Sequence, residues 1–297
     1  MNYIVITLLV IAGVLSGILL AIHFGFQAPR RKEKGNPADI GLTYREISIR
    51  TVEGKQLFAW WLPAASGSPT IILMHGWGGN AELMLPLAVP FQKAGMNVLL
   101  LDARNHGQSD STSYSSLPRF AEDVSSAINW VKMQSAEQRD RIVLLGHSVG
   151  AGAVLFEASR QDDISAVISI SAFAHPEWMM RRYLHRFLIP DRLTTWILRY
   201  VEWIIQHRYE DIAPMNTACK VKCPVLLVHG KIDDTVPMTD ALAILKNCSE
   251  GSIELLIIDD AGHDSVDKIE HHAYQLLEFL KKSGIMSQQS VDQFAST

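Results

Sequence analysis

Four runs of uninterrupted apolar residues, TIILMH, NVLLLD, RIVLLG and PVLLVH, each lead into a polar or glycine-bearing turn. A strand with water on one face alternates apolar and polar side chains, whereas a strand covered on both faces does not. These runs therefore demand a mostly parallel sheet with helices on each side. The expected strands are Glu46–Arg50, Leu57–Leu62, Thr70–His75, Asn97–Asp102, Arg141–Gly146, Ala166–Ser171, Pro224–His229 and Ile253–Ile258. Helical stretches fall between them at Ala81–Ala94, Arg119–Gln134, Val149–Arg160, Thr239–Asn247 and Val266–Lys282. That alternation is the pattern of one α/β domain, spanning residues 44–284, with an antiparallel start where Glu53-Gly54 joins the first two strands. One interval is too long for a simple crossover. Residues 174–213 hold Trp178, Trp196 and Trp203 together with Arg181, Arg182, Arg186, Arg192 and Arg199, and read as an inserted helical lid. Its apolar stripe can cover a binding site or merely pack on the sheet.

The amino end has a different composition. No Asp, Glu, Lys or Arg precedes Arg30, and Ile4 to Ile22 is almost wholly apolar. As a helix it would be about as long as the ~30 Å hydrocarbon core of a bilayer, so residues 1–28 are expected to form a transmembrane anchor. A cleaved signal peptide is the rival reading, but the basic start and a small-residue cleavage site are missing. Arg30, Arg31, Lys32 and Lys34 follow the span, and the positive-inside bias places the rest of the chain in the cytoplasm. Residues 29–43 read as a linker and residues 285–297 as a flexible tail. Cys219, Cys223 and Cys248 form no repeated pairs and read as reduced thiols. A net charge of −4 gives no footprint for nucleic acid.

Chemistry concentrates in the turns after the strands. Gly146-His147-Ser148-Val149-Gly150 matches GxSxG where RIVLLG meets a small-residue helix, an arrangement that lifts a serine hydroxyl above a sheet. His75-Gly76-Trp77-Gly78-Gly79 follows TIILMH, and its glycine turn can offer the Trp77 N–H to an oxyanion, with the Val149 N–H as second donor. A serine needs a base, and the base needs an acid to hold its tautomer. Asp233 and Asp234 follow PVLLVH, and His263 follows the last strand, at strand ends where open sheets place their sites. Of the other histidines, His75 and His106 read as braces of glycine turns. No HExxH and no GxGxxG or GxxxxGK[ST] loop occurs, so neither a metal nor a nucleotide cofactor is expected.

On these residues, from about Tyr44 to Lys282, the chain resembles the α/β-hydrolase superfamily of esterases, monoacylglycerol lipases and serine aminopeptidase-like enzymes. Asp102-Ala103-Arg104-Asn105-His106-Gly107-Gln108-Ser109 is similar to its DxRGHGxS turn, with Asn105 where glycine is usual. The resemblance implies an eight-stranded sheet and a triad of Ser148, Asp233 and His263. In the family's GxxDxxVP the first Asp is the acid, which puts Asp233 ahead of Asp234. With the expected anchor and lid placing the pocket near a membrane surface, the expected function is that of a membrane-anchored serine esterase acting on small-molecule acyl-chain or lipid-like esters. Thioesters and peptide amides use the same triad, and a catalytically silent tethered scaffold is the alternative of another class.

Overall fold

The computed structural model describes residues 3–25, 27–134, 141–248 and 252–295. Eight strands form one sheet: β1 (Arg45–Arg50), β2 (Gln56–Leu62), β3 (Thr70–Met74), β4 (Asn97–Leu101), β5 (Ile142–His147), β6 (Ile164–Ile170), β7 (Val225–Gly230) and β8 (Ile253–Ile258). Their order is β1-β2-β4-β3-β5-β6-β7-β8. β1 and β2 pair antiparallel, β2 meets β4 antiparallel, and every later pair is parallel.

The helices are α1 (Tyr3–Gly25), α2 (Leu85–Lys93), α3 (Leu117–Gln134), α4 (Val149–Ala158), α5 (Pro176–Arg186), α6 (Asp191–Ile205), α7 (Tyr209–Ile212), α8 (Pro214–Thr217), α9 (Met238–Asn247), α10 (Val266–Glu270), α11 (Ala273–Lys282) and α12 (Gln288–Ala295). Successive strand residues point to opposite faces, so the apolar runs feed two cores. Ile72, Leu99, Leu144 and Val167 join α3, α4 and α6 on one face. Ile71, Leu73, Leu100, Leu145 and Ile168 join α2 and α11 on the other. The expected eight-stranded α/β-hydrolase fold is therefore present.

Several local expectations change. The last helix is broken in two at His271-His272, between α10 and α11. The tail contains α12, with Ile285, Met286 and Val291 buried against the second core. Residues 29–43 lie against the domain rather than apart from it. Arg30 donates to the Ser109 carbonyl at 2.8 Å, and the Lys34 and Gly35 amides donate to the Glu82 carboxylate at 2.8 and 3.0 Å.

The reading of three reduced thiols is corrected: Cys219 and Cys248 form a disulfide and Cys223 alone is free. Twenty-nine residues separate the pair in sequence, but α8 packs on α9 and leaves the two Cα atoms 4.7 Å apart.

The expected membrane anchor is likewise not supported. Residues 3–25 form a single helix. Among the described residues no helix is long and apolar enough to cross a membrane. Residues 1, 2 and 26 of that expectation, and 296 and 297 of the tail, lie outside the described residues.

Candidate active site

β5 ends at His147 and α4 begins at Val149, which leaves Ser148 alone to turn the chain. It does so at φ 54°, ψ −117°, a conformation costly for any residue with a side chain. Neighbouring glycines make the turn possible. A Cβ on Gly146 would run into the Gly150 carbonyl, and one on Gly150 would run into the His75 and Met74 carbonyls. The Ser148 amide is fixed by the Ile170 carbonyl at 2.9 Å. The hydroxyl stands at the carboxyl edge of the sheet in a residue only 8% exposed.

The sequence places His263 115 residues from Ser148, and the sheet order brings them together. His263 Nε2 lies 2.9 Å from Ser148 Oγ, and His263 Nδ1 lies 2.8 Å from Asp233 Oδ2. The other oxygen of Asp233 accepts the Val236 amide at 2.7 Å and the Thr235 amide at 3.0 Å. Burial pushes the Asp233 carboxyl up. Hydrogen bonds from His263 and the Val236 amide outweigh it and hold the group below its ordinary value, so it is ionised near neutrality. Asp234, the fallback acid, is exposed and turned to Thr235 Oγ1, with its carbonyl accepting from Arg186.

Of the two backbone donors, Val149 is the first residue of α4, immediately after Ser148. Trp77 sits on the turn that abuts the serine: a Cβ on Gly76 would lie 3.0 Å from Ser148 Cβ. The Trp77 indole is partly exposed and stands edge-on to His106. The two turn histidines brace loops as expected. His75 Nδ1–H donates to the Gly76 carbonyl while Nε2 accepts the Ala103 amide, and His106 Nδ1–H donates to the Arg104 carbonyl.

Sequence reasoning assigned His147 no task. Its Nε2 donates to the His263 carbonyl at 2.7 Å, so the residue beside the serine holds the backbone of the base. Burial, reinforced by His263, pushes His147 down to about 4, which keeps it neutral. His147, His263 and Asp264 bring ligand atoms within 4.8 Å of one another. Three of the four imidazole nitrogens there are already hydrogen-bonded, to the His263 carbonyl, Asp233 and Ser148.

The insertion at 174–213 is helical, as expected, and has two faces. Leu198, Val201 and Ile205 of α6 are buried in the first core, whereas Phe187, Leu188, Trp196 and Trp203 are exposed. Trp196, Tyr200 and Trp203 stack in series at 5.7 and 5.8 Å. Arg182 ties α5 to the buried Asp240 of α9 with two hydrogen bonds, at 3.1 and 2.7 Å.

Comparison with known proteins bears on the family and the fold. The sequence profile of the family described as "Serine aminopeptidase, S33" matches residues 66–218. The uncharacterized protein YfhR of Escherichia coli (strain K12) is 27% identical over 244 residues, covering 79% of each chain. The uncharacterized protein Rv2307c of Mycobacterium tuberculosis (strain ATCC 25618 / H37Rv) is 25% identical over 256 residues, covering 82% of each. The Pyrococcus furiosus esterase Pf2001 superposes with a TM-score of 0.71 at 25% identity, over 86% of this chain and 97% of that one. Est1E from Butyrivibrio proteoclasticus, solved with ferulic acid bound, gives a TM-score of 0.63 at 21% identity, over 79% and 99%. With a profile match across half its length and an eight-stranded hydrolase sheet, this chain belongs to the serine aminopeptidase, S33 family of α/β hydrolases.

Proposed function

We propose that this protein is a serine hydrolase that cleaves small carboxylic esters through an acyl-enzyme. Ser148 Oγ attacks the acyl carbonyl while His263 Nε2 takes its proton. The resulting imidazolium is oriented and stabilised by Asp233, and His263 then protonates the departing alcohol. The Trp77 and Val149 amides receive the oxyanion. Water, deprotonated by the same imidazole, releases the acid and restores Ser148. No cofactor enters these steps.

The observation that supports this reading above all is the unbroken hydrogen-bond series Ser148–His263–Asp233, each distance under 3 Å, on a serine held in a strained turn. The family's name favours a second reading, in which the scissile bond is a peptide amide. The discriminating test is turnover of p-nitrophenyl esters of increasing chain length beside amino-acid p-nitroanilides. Ester turnover that disappears in Ser148→Ala supports the proposal, and faster anilide turnover transfers it to the peptidase reading. Undiminished turnover in Ser148→Ala, or no turnover at all, rejects it, the latter in favour of a silent scaffold.

A further inference from the structure

The turn that carries Trp77 is not held by the hydrolase domain alone. Residues 28–35, which precede the first strand, cross it and touch it in sequence. Pro29 packs on Gly78, whose φ is +69°: a Cβ there would meet Pro29 Cγ at 3.0 Å. Asn80 Nδ2 donates to the Arg31 carbonyl at 3.2 Å. The Lys34 and Gly35 amides donate to Glu82, just beyond the turn, and Arg30 donates to the carbonyls of Gly107 and Ser109 and to Ser111 Oγ.

Under this crossing lies a pair of carboxyl groups. Asp102 accepts the Ala81 amide on Oδ1 at 2.7 Å and the Gln108 amide on Oδ2 at 2.8 Å, so it ties the end of the Trp77 turn to the 102–109 loop. Glu33 reaches in from the crossing segment. A Cβ on Gly107 would collide with the Asp102 carboxyl and would lie 2.5 Å from Glu33 Oε1, so the two acids share one small space. Both Glu33 carboxyl oxygens are buried, and among the described residues no fixed N–H or O–H donor of another side chain or amide reaches them. Two carboxyl groups crowded into one buried space resist carrying charge together, and the hydrogen that can join them is a shared proton.

We propose that Glu33 is a positioning residue for the oxyanion turn: its carboxyl, sharing a proton with Asp102, latches residues 28–35 across the 76–81 turn and so sets the aim of the Trp77 amide. The inference rests on the ester-hydrolase reading of the site and adds to it a residue outside the matched family region. It also predicts a direction with pH. Burial first, and Glu33 second, push the Asp102 carboxyl well above its ordinary value. The shared proton is therefore held beyond the ordinary carboxylate range and lost as the pH rises further, where the two charges repel and the latch opens. The charged groups around the pair do not replace that proton. Arg30 is taken up by the loop carbonyls, Glu82 by the strap amides, Asp110 by the Gln56 amide and Arg104 by Glu122 and Asp123. His75 and His106 are held neutral by burial.

The test compares pH profiles of kcat for p-nitrophenyl butyrate between the full wild-type chain and Glu33→Gln. The amide of glutamine can donate to Asp102 at every pH, so the variant keeps the latch without a titrating proton. The wild-type kcat is expected to fall about tenfold as rising pH removes the shared proton, with KM little altered, a fraction of the ~10²–10³ lost with an oxyanion donor, and Glu33→Gln is expected to lack that limb. Superimposable profiles overturn the proposal. Fluorophosphonate labelling of Ser148 in the same preparations separates this failure from failure of the hydrolase reading itself. Should Glu33→Gln not fold, amide hydrogen exchange of the wild type decides. Joint loss of protection at Lys34, Gly35, Ala81 and Gln108 as the pH rises supports the latch, and protection at Ala81 that persists after the strap amides open refutes it.

Discussion

The turn at Ser148 and the helical insertion both follow the carboxyl ends of neighbouring strands, β5 and β6, but are built on opposite terms. Around Ser148 the backbone has no slack: glycines at 146 and 150 admit no Cβ, and His75, His106 and His147, on the turns at this end of the sheet, are buried imidazoles held neutral. The insertion keeps a buried stripe on α6 but turns Phe187, Leu188 and Trp203 to solvent, and α5 is tied down through Arg182. One region is determined by close contact and tolerates almost nothing. The other is free to vary, and substrate range is the property expected to vary with it.

That contrast can be broken by mutation, beginning with the rigid side. Asp233→Asn is expected to lower kcat about 10⁴-fold by leaving the His263 tautomer unset, with the melting temperature nearly unchanged. A drop much smaller than this, measured on p-nitrophenyl esters, would remove Asp233 from its role. Protonation tests the same region without mutation. His106 and His147 are each pushed down to about 4, chiefly by burial, and His75 is lowered for the same reason. Between pH 6.5, the ordinary histidine value, and about pH 4 the unfolded chain takes up protons that the folded chain refuses, so stability must fall as pH falls. Each such proton contributes about 1.4 kcal/mol per pH unit. Urea melts of His147→Gln across that window should show a slope shallower by one proton, and an unchanged slope would contradict the burial of a neutral His147.

Smaller effects are expected farther out. Reducing the Cys219–Cys248 disulfide, which closes a loop of 29 residues, should destabilise the protein by about 3 kcal/mol, read as a lower melting temperature in reductant. Arg182→Met leaves the buried Asp240 carboxylate with the Ala174 amide and no cation. The expected cost is about 2 kcal/mol, with faster proteolysis inside 174–213 as its local signature. Trp203→Ser, on the exposed end of the aromatic stack, should change stability by no more than about 0.5 kcal/mol. A large loss there would mean that the outer face is not free after all.

What could be read in advance follows the same division. The sheet was legible because doubly covered strands leave apolar runs that no other element requires. The site was legible because a strained serine turn needs glycine on both sides, and the loops after β7 and β8 needed only the sheet order to meet it. The disulfide was not, because contact between α8 and α9 has no signature in three scattered cysteines. The crossing of residues 28–35 was hidden for a similar reason: a charged stretch with Gly and Pro has the composition of a linker, and the packing of Pro29 on Gly78 is invisible until both are placed. At the amino end the apolar run correctly gave a helix but not its surroundings. His147 occupies the variable position of its motif, so only its bond to the His263 carbonyl reveals its work.

The central claim is that Ser148 is the residue that becomes acylated. Intact mass and peptide mapping after exposure to a fluorophosphonate test it most directly. The account predicts a single adduct, on Ser148, formed by the wild type and by neither Ser148→Ala nor acid-denatured protein. An adduct on another residue, or none on a folded wild-type chain, would contradict it.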